Sequence, residues 1–545
     1  MTTPLARFNR LLETSPLRHA PFRRFYLGSI GAATGYTMQA TIAAWLMATL
    51  TPSTLMVALV QSASTAPSLV LGLLAGALAD IVDRRKVIFA TQILLLVATA
   101  LLGAAAVVGW VGPISLLIVT FIIGGAFTLY LPAQQASVND FVSRDELPRA
   151  VSLGAVAFNV ARAIGPALAG AIAAWLGTGS AMLASAVFFV PMLLAVRRWK
   201  RREIKLAGVP ETLFSGIQSG LRYARHSPGM RSLIIRNLAF AVCASVFWAL
   251  LPVIARDQLG LGAGGYGLLS AAFGGGAVVG ALALPGQLKR MSLNALVTAG
   301  ILLWAAATVL IAASAMTTFA LLGAFCSGMA WVSVFASLSV GTQSSAPAWV
   351  RARALATNLV ATQASLAVGS ALWGVFAEVT STRVALAVSA ALMLALHLLN
   401  RRVHISMGSD ADVTPSLHLP DLTVAAEPMP DDGPVLIQIE YRIDPAQRTE
   451  FLHAIAAVEP TRRRNGAAGW RVYRDVGAEG RFVERYVIAS WSEYIRLRSR
   501  MTVADREIQE RVLRLQPPDT PVRVSRLIGV RREDLEGTSG GTDGE

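Results

Sequence analysis

The sequence predicts an all-α membrane protein of twelve transmembrane helices in two six-helix repeats, followed by a small α+β ferredoxin-like domain. Three observations predict it. Nearly charge-free apolar runs recur from about Phe25 to Asn400, each close to the ~20 residues that cross a ~30 Å hydrocarbon core. Lys and Arg concentrate in alternate connections between those runs. A stretch in the first half of this region also returns in the second half without gaps.

Composition narrows the class. Of 545 residues, 54% are apolar, and mean hydropathy is +0.54. A soluble α-helical protein would show polar residues on one face of each helix at every turn. The net charge of +15 would suit a nucleic-acid partner, but the basic residues lie in loops between apolar runs, so the expected partner is the lipid bilayer and no nucleic acid. Cys243 and Cys326 both lie inside apolar runs, which excludes a disulfide framework or a thiolate metal site. No metal and no cofactor is expected.

Residues 1–24 read as a cytoplasmic segment with an interfacial helix carrying Leu5, Phe8, Leu11 and Leu12. They lack the order of a signal peptide. The expected spans are 25–50, 54–79, 87–110, 113–133, 150–176 and 178–196 in a first block over 25–196. The second block, 231–402, holds 231–255, 264–287, 292–314, 316–341, 354–378 and 383–400. The central loop, 197–230, contains an amphipathic segment from Glu211 to Arg225 with Leu213, Ile217, Leu221 and Ala224 on one face, ending at Ser227-Pro228.

Charge orients the chain. One set of connections carries 25 Lys and Arg, including Arg84, Arg85 and Lys86, the central-loop cluster, and Arg351 and Arg353. The other carries Arg256 and Arg383 alone. Lys and Arg in short loops are retained in the cytoplasm, so both termini are expected inside a bacterial inner membrane, which requires an even number of spans.

The repeat aligns Arg149–Gly170 with Arg353–Gly374 at a constant offset of 204, with nine identities in 22 positions, among them Gly165/Gly369 and Gly170/Gly374. The fifth span therefore corresponds to the eleventh. Two similar bundles repeated about a midplane site are how rocking transporters are built.

Gly76-Ala77-Leu78-Ala79-Asp80-Ile81-Val82-Asp83-Arg84-Arg85-Lys86 separates the second and third spans. Gly76 permits close helix approach, and Asp80 ends its helix with an acid able to meet a helix N-terminus and basic side chains. Gly76, Asp80, Arg84 and Arg85 are thus candidates for a latch that holds one state and breaks in the other; ordinary topogenic charges are the alternative. This segment resembles the signature loop of the major facilitator superfamily, with Ile81 and Asp83 where Arg and Gly are usual. In the fifth span, Ala161-Arg162-Ala163-Ile164-Gly165-Pro166-Ala167-Leu168-Ala169-Gly170 combines small residues with a helix-bending proline. Arg162, Gly165, Pro166 and Gly170 resemble the helix 5 motif of antiport-type members, with Ala for two of its glycines, which implies export.

Arg162 stands about 18 Å along the helix from Ala150, near midplane, where a lone Arg costs at least ~2.5 kcal/mol on insertion scales. It should meet helix dipoles, polar side chains or an anionic cargo. Tyr36, Gln39, Thr41 and Trp45, Gln61 and Ser64, Asn237 and Trp248, and Asn358 and Gln363 are the other polar or aromatic groups at depth. The superfamily resemblance implies that helices 1, 7 and 11 line the cavity; hydrogen bonding between helices is the alternative for each residue. The first span lacks the acid of many proton-coupled drug exporters.

Phe22-Arg23, Pro132-Ala133-Gln134-Gln135-Ala136, Arg162-x-x-Gly165-Pro166 and Gly220-Leu221-Arg222-Tyr223 resemble the enterobactin-exporter-like, transmembrane secretion effector group. That resemblance implies efflux of a siderophore, drug or secondary metabolite by alternating access, with the proton gradient as driving force. An uptake permease of the same fold is the alternative.

Residues 403–433 read as a linker, and 531–545 as a disordered tail. Between them, 434–530 changes character: Val435, Ile437, Ile439, Tyr441 and Ile443 alternate with mostly polar residues, and Phe451, Ile455 and Val458 share a helix face. Strands are expected near 469–476, 481–489 and 521–530, with one helix carrying Tyr494 through Leu515. The order βαββαβ resembles the dimeric α/β barrel of antibiotic-biosynthesis monooxygenases, a resemblance that implies sheet-to-sheet homodimerisation. His453 and Trp491 are the residues considered for chemistry there. A regulatory, dimerising or cargo-sensing tail is expected, with an oxidising enzyme fused to the transporter as the alternative.

Overall fold

The computed structural model describes residues 15–143, 145–199, 213–400, 410–416 and 428–530, with side chains described except at 73, 76–81, 213–217 and 410. The expected interfacial helix near Leu5, most of the linker and the tail 531–545 lie outside the described residues, as does the side chain of Asp80.

Every expected span is helical. α1 is Ala20–Leu50; α2 comprises Thr54–Thr65 and Pro67–Ile81, divided where Pro67 cannot donate to the preceding turn. α3 is Arg84–Val108 and α4 is Pro113–Ser137. Residues 147–197 are helical almost throughout, and Gly177, at φ 84°, bends them into α5 (147–176) and α6 (178–197). The second half comprises α7 (Pro228–Val253), α8 (Ala263–Arg290), α9 (Leu293–Ala313), α10 (Thr317–Ser345), α11 (Arg351–Val379) and α12 (Thr382–Leu399). Ten helical stretches, among the described residues, are long and apolar enough to cross a membrane; one of them, Leu147–Arg197, holds both α5 and α6, and α1 is not among the ten.

The ends follow local chemistry. Asp83 caps α3 by accepting from the Arg85 N–H at 3.0 Å, and Gly109 closes it in the left-handed region at φ 78°, where a Cβ would be strained. Pro113 opens α4 at a position whose N–H would have no helical partner.

The chain divides into two compact units. The first draws on the described residues of 1–213, 235–339 and 358–404; the second draws on those of 214–234, 340–357 and 405–545.

In the first unit, glycines carried by the repeat make equivalent joints. A Cβ at Gly165 of α5 would collide with Thr37 of α1, and one at Gly369 of α11 would lie 2.9 Å from the Val242 carbonyl of α7. Each joins two helices of its own half. Five residues further on, a Cβ at Gly170 would stand 2.7 Å from the Gly267 Cα of α8, and one at Gly374 would stand 2.6 Å from the Ala58 Cβ of α2. Those joints cross between halves. Helices in lipid gain little from burying apolar surface against one another, so close backbone approach through small residues holds them together.

The second unit contains the α+β domain. Its strands are β1 (Val435–Arg442), β2 (Ala468–Arg474), β3 (Arg481–Ile488) and β4 (Arg523–Ile528), antiparallel in the order β2-β3-β1-β4. Val435, Ile437, Ile439 and Tyr441 face a buried core with Phe451, Ile455 and Val458, as their alternation anticipates. The helices are α13 (Arg448–Ala456), α14 (Glu459–Arg464), α15 (Trp491–Arg500) and α16 (Val503–Leu513). The single helix expected from Tyr494 to Leu515 is in fact two. Thr502 and Asp505 form a capping box that starts α16 anew, satisfying orphan N–H groups reciprocally.

The central-loop helix, Leu213–His226, buries Ala224 of its expected apolar face, while the side chains of Leu213 and Ile217 lie outside those described. Leu221 is 57% exposed, whereas Ser219, Gly220, Tyr223 and Ala224 are buried. The Tyr223 hydroxyl donates to the Ser345 carbonyl at 3.0 Å, and Gly220 lies against Arg353. These contacts seat the helix on the last residue of α10 and the first turn of α11.

Candidate functional site

Arg162 sits near the middle of α5, half-buried, inside a ring of aromatic side chains. Its guanidinium carbon lies 5.9 Å from the Phe158 ring, 5.7 Å from Trp248, 5.7 Å from Phe273 and 5.8 Å from Trp331. Phe158 is one turn before it on α5; the others come from α7, α8 and α10. The rings pack on each other: Trp248 meets Phe273 at 4.5 Å and Trp331 at 5.9 Å. Four π faces at similar distance stabilise a cation by ~0.5–2 kcal/mol each. They offer no acceptor geometry for most of its five N–H donors, and among the described residues none takes a hydrogen bond or ion pair from Arg162.

Backbone contacts set this arrangement. A Cβ at Gly274 of α8 would lie 2.7 Å from the Arg162 carbonyl. Only glycine lets α8 come this close to α5, which brings Phe273 beside the guanidinium.

The other predicted residues separate into two groups. Asn237 is fully buried and donates to the Asn358 carbonyl at 3.0 Å, the Asn358 Oδ1 at 2.6 Å and the Thr362 hydroxyl at 2.8 Å. Asn237 and Asn358 thus tie α7 to α11, while the buried Asn237 Oδ1 keeps no partner among the described residues. Trp45 is buried and stacks on Tyr266 at 5.7 Å, joining α1 to α8 across the halves. Tyr36 stacks on Phe127 of α4 at 3.7 Å, and Gln39 is buried with its Nε2 unpartnered. Thr41 donates to the Thr37 carbonyl at 2.8 Å and Ser64 to that of Gln61 at 2.9 Å. Gln61 and Gln363 are half-buried. The structure brings only Trp248 to Arg162.

At the end of the bundle bearing the short connections, the halves meet through helix ends. Arg256 donates to the Ala48 carbonyl and, at 3.0 Å, to the Thr51 carbonyl at the C-terminus of α1. Glu378 accepts from the Leu55 N–H in the first turn of α2 at 3.0 Å. A cation on a C-terminus and an anion on an N-terminus both complement the helix dipole. Charge placement puts Arg256 on this face but gives no sign of either contact, because they join positions 205 and 323 residues apart.

At the other end, Arg84 donates to the Ala136 carbonyl at 3.0 Å, and Arg85 to the Val196 and Arg197 carbonyls at 3.1 and 3.2 Å. These contacts gather the ends of α4 and α6 around the start of α3, within the first half.

In the α+β domain, His453 is exposed and Trp491 is buried against Tyr494. The charged centre there is Glu484, fully buried. It accepts from Arg462 at 3.0 Å, Trp470 at 2.9 Å and Tyr441 at 2.8 Å. Burial alone would lower the Arg462 pKa, but Glu484 beside it raises it. Glu493 accepts from Arg222 of the central-loop helix at 3.0 Å, from Arg500 at 2.9 Å and from Arg496 at 2.8 Å, and Arg500 lies 4.2 Å from the Trp349 ring.

Comparison with known proteins gives this arrangement a family. Residues 12–534 match the transmembrane secretion effector family. The chain belongs to that family. The multidrug efflux pump Tap of Mycolicibacterium fortuitum is 29% identical over 293 residues, covering 51% of this chain and 70% of that protein. The staphyloferrin A transporter of Staphylococcus aureus is 24% identical over 253 residues, covering 46% of this chain but only 63% of the relative. Among solved structures, the nucleoside transporter NupG superposes with a TM-score of 0.57 at 14% identity, over 70% of this chain and 98% of that one. An inward-facing bacterial homologue of the human lysosomal transporter Spinster gives 0.58 at 13%, over 72% and 98%. The chain is therefore a multi-pass transporter of the major facilitator type, with a multidrug efflux pump among its relatives.

Proposed function

We propose that the chain exports a small organic molecule by alternating access, crossing a bacterial inner membrane twelve times with both termini in the cytoplasm. The observation that carries this reading is the pair of matched glycine joints. Gly170 and Gly374 occupy equivalent places in the two repeats, and each fastens its half to the opposite one. Halves joined through such narrow contacts can tilt about a central site. Export is supported by the efflux pump among the relatives and by Arg162, Gly165, Pro166 and Gly170 on α5. Gly76 and Asp80, with Arg84 and Arg85, form the proposed latch at the cytoplasmic end, and the proton gradient is the proposed driving force.

The region 434–530, whose element order and strand order suit a ferredoxin-like fold, is proposed as a regulatory module seated on the central-loop helix through Glu493. Its buried carboxylate, Glu484, already holds three donors, which favours a structural role over catalysis.

The test is cargo content on both sides of the membrane. A strain lacking the protein should retain at least one small organic metabolite or drug that the parent secretes, and expression should restore its release. Cargo accumulating inside cells on expression would establish uptake instead.

A further inference from the structure

The aromatic enclosure of Arg162 specifies a ligand chemistry. From this geometry we infer that Arg162 is the anion-binding group of the transport site and that the cargo is an aromatic anion; this rests on the transporter reading above but not on its direction. Arg162, Phe158, Trp248 and Trp331 are each half-buried, so all four keep accessible surface. Three of the flanking rings come from α7, α8 and α10 of the second half, while the cation belongs to the first. The site is therefore shared between halves and changes shape when they tilt.

The energetics favour a ligand over a purely structural role. A guanidinium carries five donors in a planar fork matched to carboxylate geometry. The surrounding rings offset its burial through their π faces, yet its N–H groups keep no partner among the described residues. A carboxylate would take the fork in two parallel bonds. An attached aromatic ring would lie against Trp248 or Trp331, where offset stacking adds ~0.5–1.5 kcal/mol beyond burial. A cationic aromatic would meet the same rings but be repelled by Arg162.

The experiment titrates the purified full-length protein in nanodiscs with three probes that share one ring system: biphenyl-4-carboxylate, biphenyl-4-methanol and biphenyl-4-methylammonium. Quenching of tryptophan fluorescence is the readout. The carboxylate is expected to bind at least tenfold tighter than the alcohol, and the ammonium most weakly. Arg162→Gln should erase the difference between carboxylate and alcohol, Arg162→Lys should retain part of it, and Trp331→Leu should weaken both. Wild-type protein that binds the alcohol or ammonium as well as the carboxylate, or that binds none of the three, overturns the inference, and this reading needs no variant to fold. A preference that survives in Arg162→Gln overturns it equally. Binding at equilibrium is indifferent to direction, so a failed export assay beside a positive titration refutes export alone; the reverse result refutes the anion site alone.

Discussion

Adding one methyl group at Gly267 should shift the transporter away from the state seen here. A Cβ at this position of α8 would lie 2.7 Å from the Gly170 Cα and 2.7 Å from the Pro166 carbonyl oxygen of α5. Ordinary contact begins at 3.4 Å, so the helices must part by about 0.7 Å or bend. Both opposing atoms are backbone, and no side chain can rotate away. Overpacking of this kind costs ~1–3 kcal/mol, charged only to conformations in which the halves touch at the short-loop end. Helix propensity favours alanine by ~1 kcal/mol, but equally in every conformation, and cancels. At about 1.4 kcal/mol per tenfold, Gly267→Ala should move the equilibrium about 5- to 150-fold toward conformations parted at that end. Spin labels at Trp110→Cys and Met316→Cys, positions 82% and 60% exposed, in a chain with Cys243 and Cys326 replaced, would report the separation by pulsed dipolar spectroscopy. A longer-distance population should appear. Gly264→Ala is the control, since its Cβ would meet Ala174 at 3.4 Å, and should change nothing. Identical distributions for Gly267→Ala and the parent, or an equal shift in the control, would refute the reasoning.

The remaining expectations concern other joints. Glu484→Ala leaves Arg462 buried without its anion, which typically costs ~3–5 kcal/mol; hydrogen exchange on the intact protein should show β1 and β3 losing protection while α1–α12 keep theirs. Burial alone would raise the Glu493 carboxyl, but Arg500, Arg496 and Arg222 hold it below its ordinary value of 4.5. A depressed carboxylate pKa contributes stability that is fully present above the unfolded value and lost as pH falls through the folded one. Protection of residues 218–226 should therefore hold at neutral pH and fall only below about 4.5, and Glu493→Gln should lower it at every pH above that. Asn237→Ala removes the two amide N–H donors that reach Asn358 and Thr362 of α11 and should cost ~1–2 kcal/mol, read as a lower midpoint of thermal unfolding in detergent; an unchanged midpoint would reassign Asn237 from packing to the cavity.

Sequence by itself determined the helical rods, their division by the central loop, and the succession of strands along the last hundred residues, because apolar run length, charge placement and residue periodicity are local properties. It also exposed the repeat, since Gly165/Gly369 and Gly170/Gly374 hold one offset along the chain. The tertiary structure alone decided what those glycines touch, and that Asn237 of α7 donates to Asn358 of α11. Phe158 could have been read as a neighbour of Arg162, four residues away on one helix face, but Phe273 and Trp331 could not. They are two aromatics among many on apolar helices, and only the backbone contact at Gly274 turns α8 toward the cation. Pattern fixes which segments form; which side chains meet depends on helix approach distances, and those are set by pairs of residues far apart in the chain.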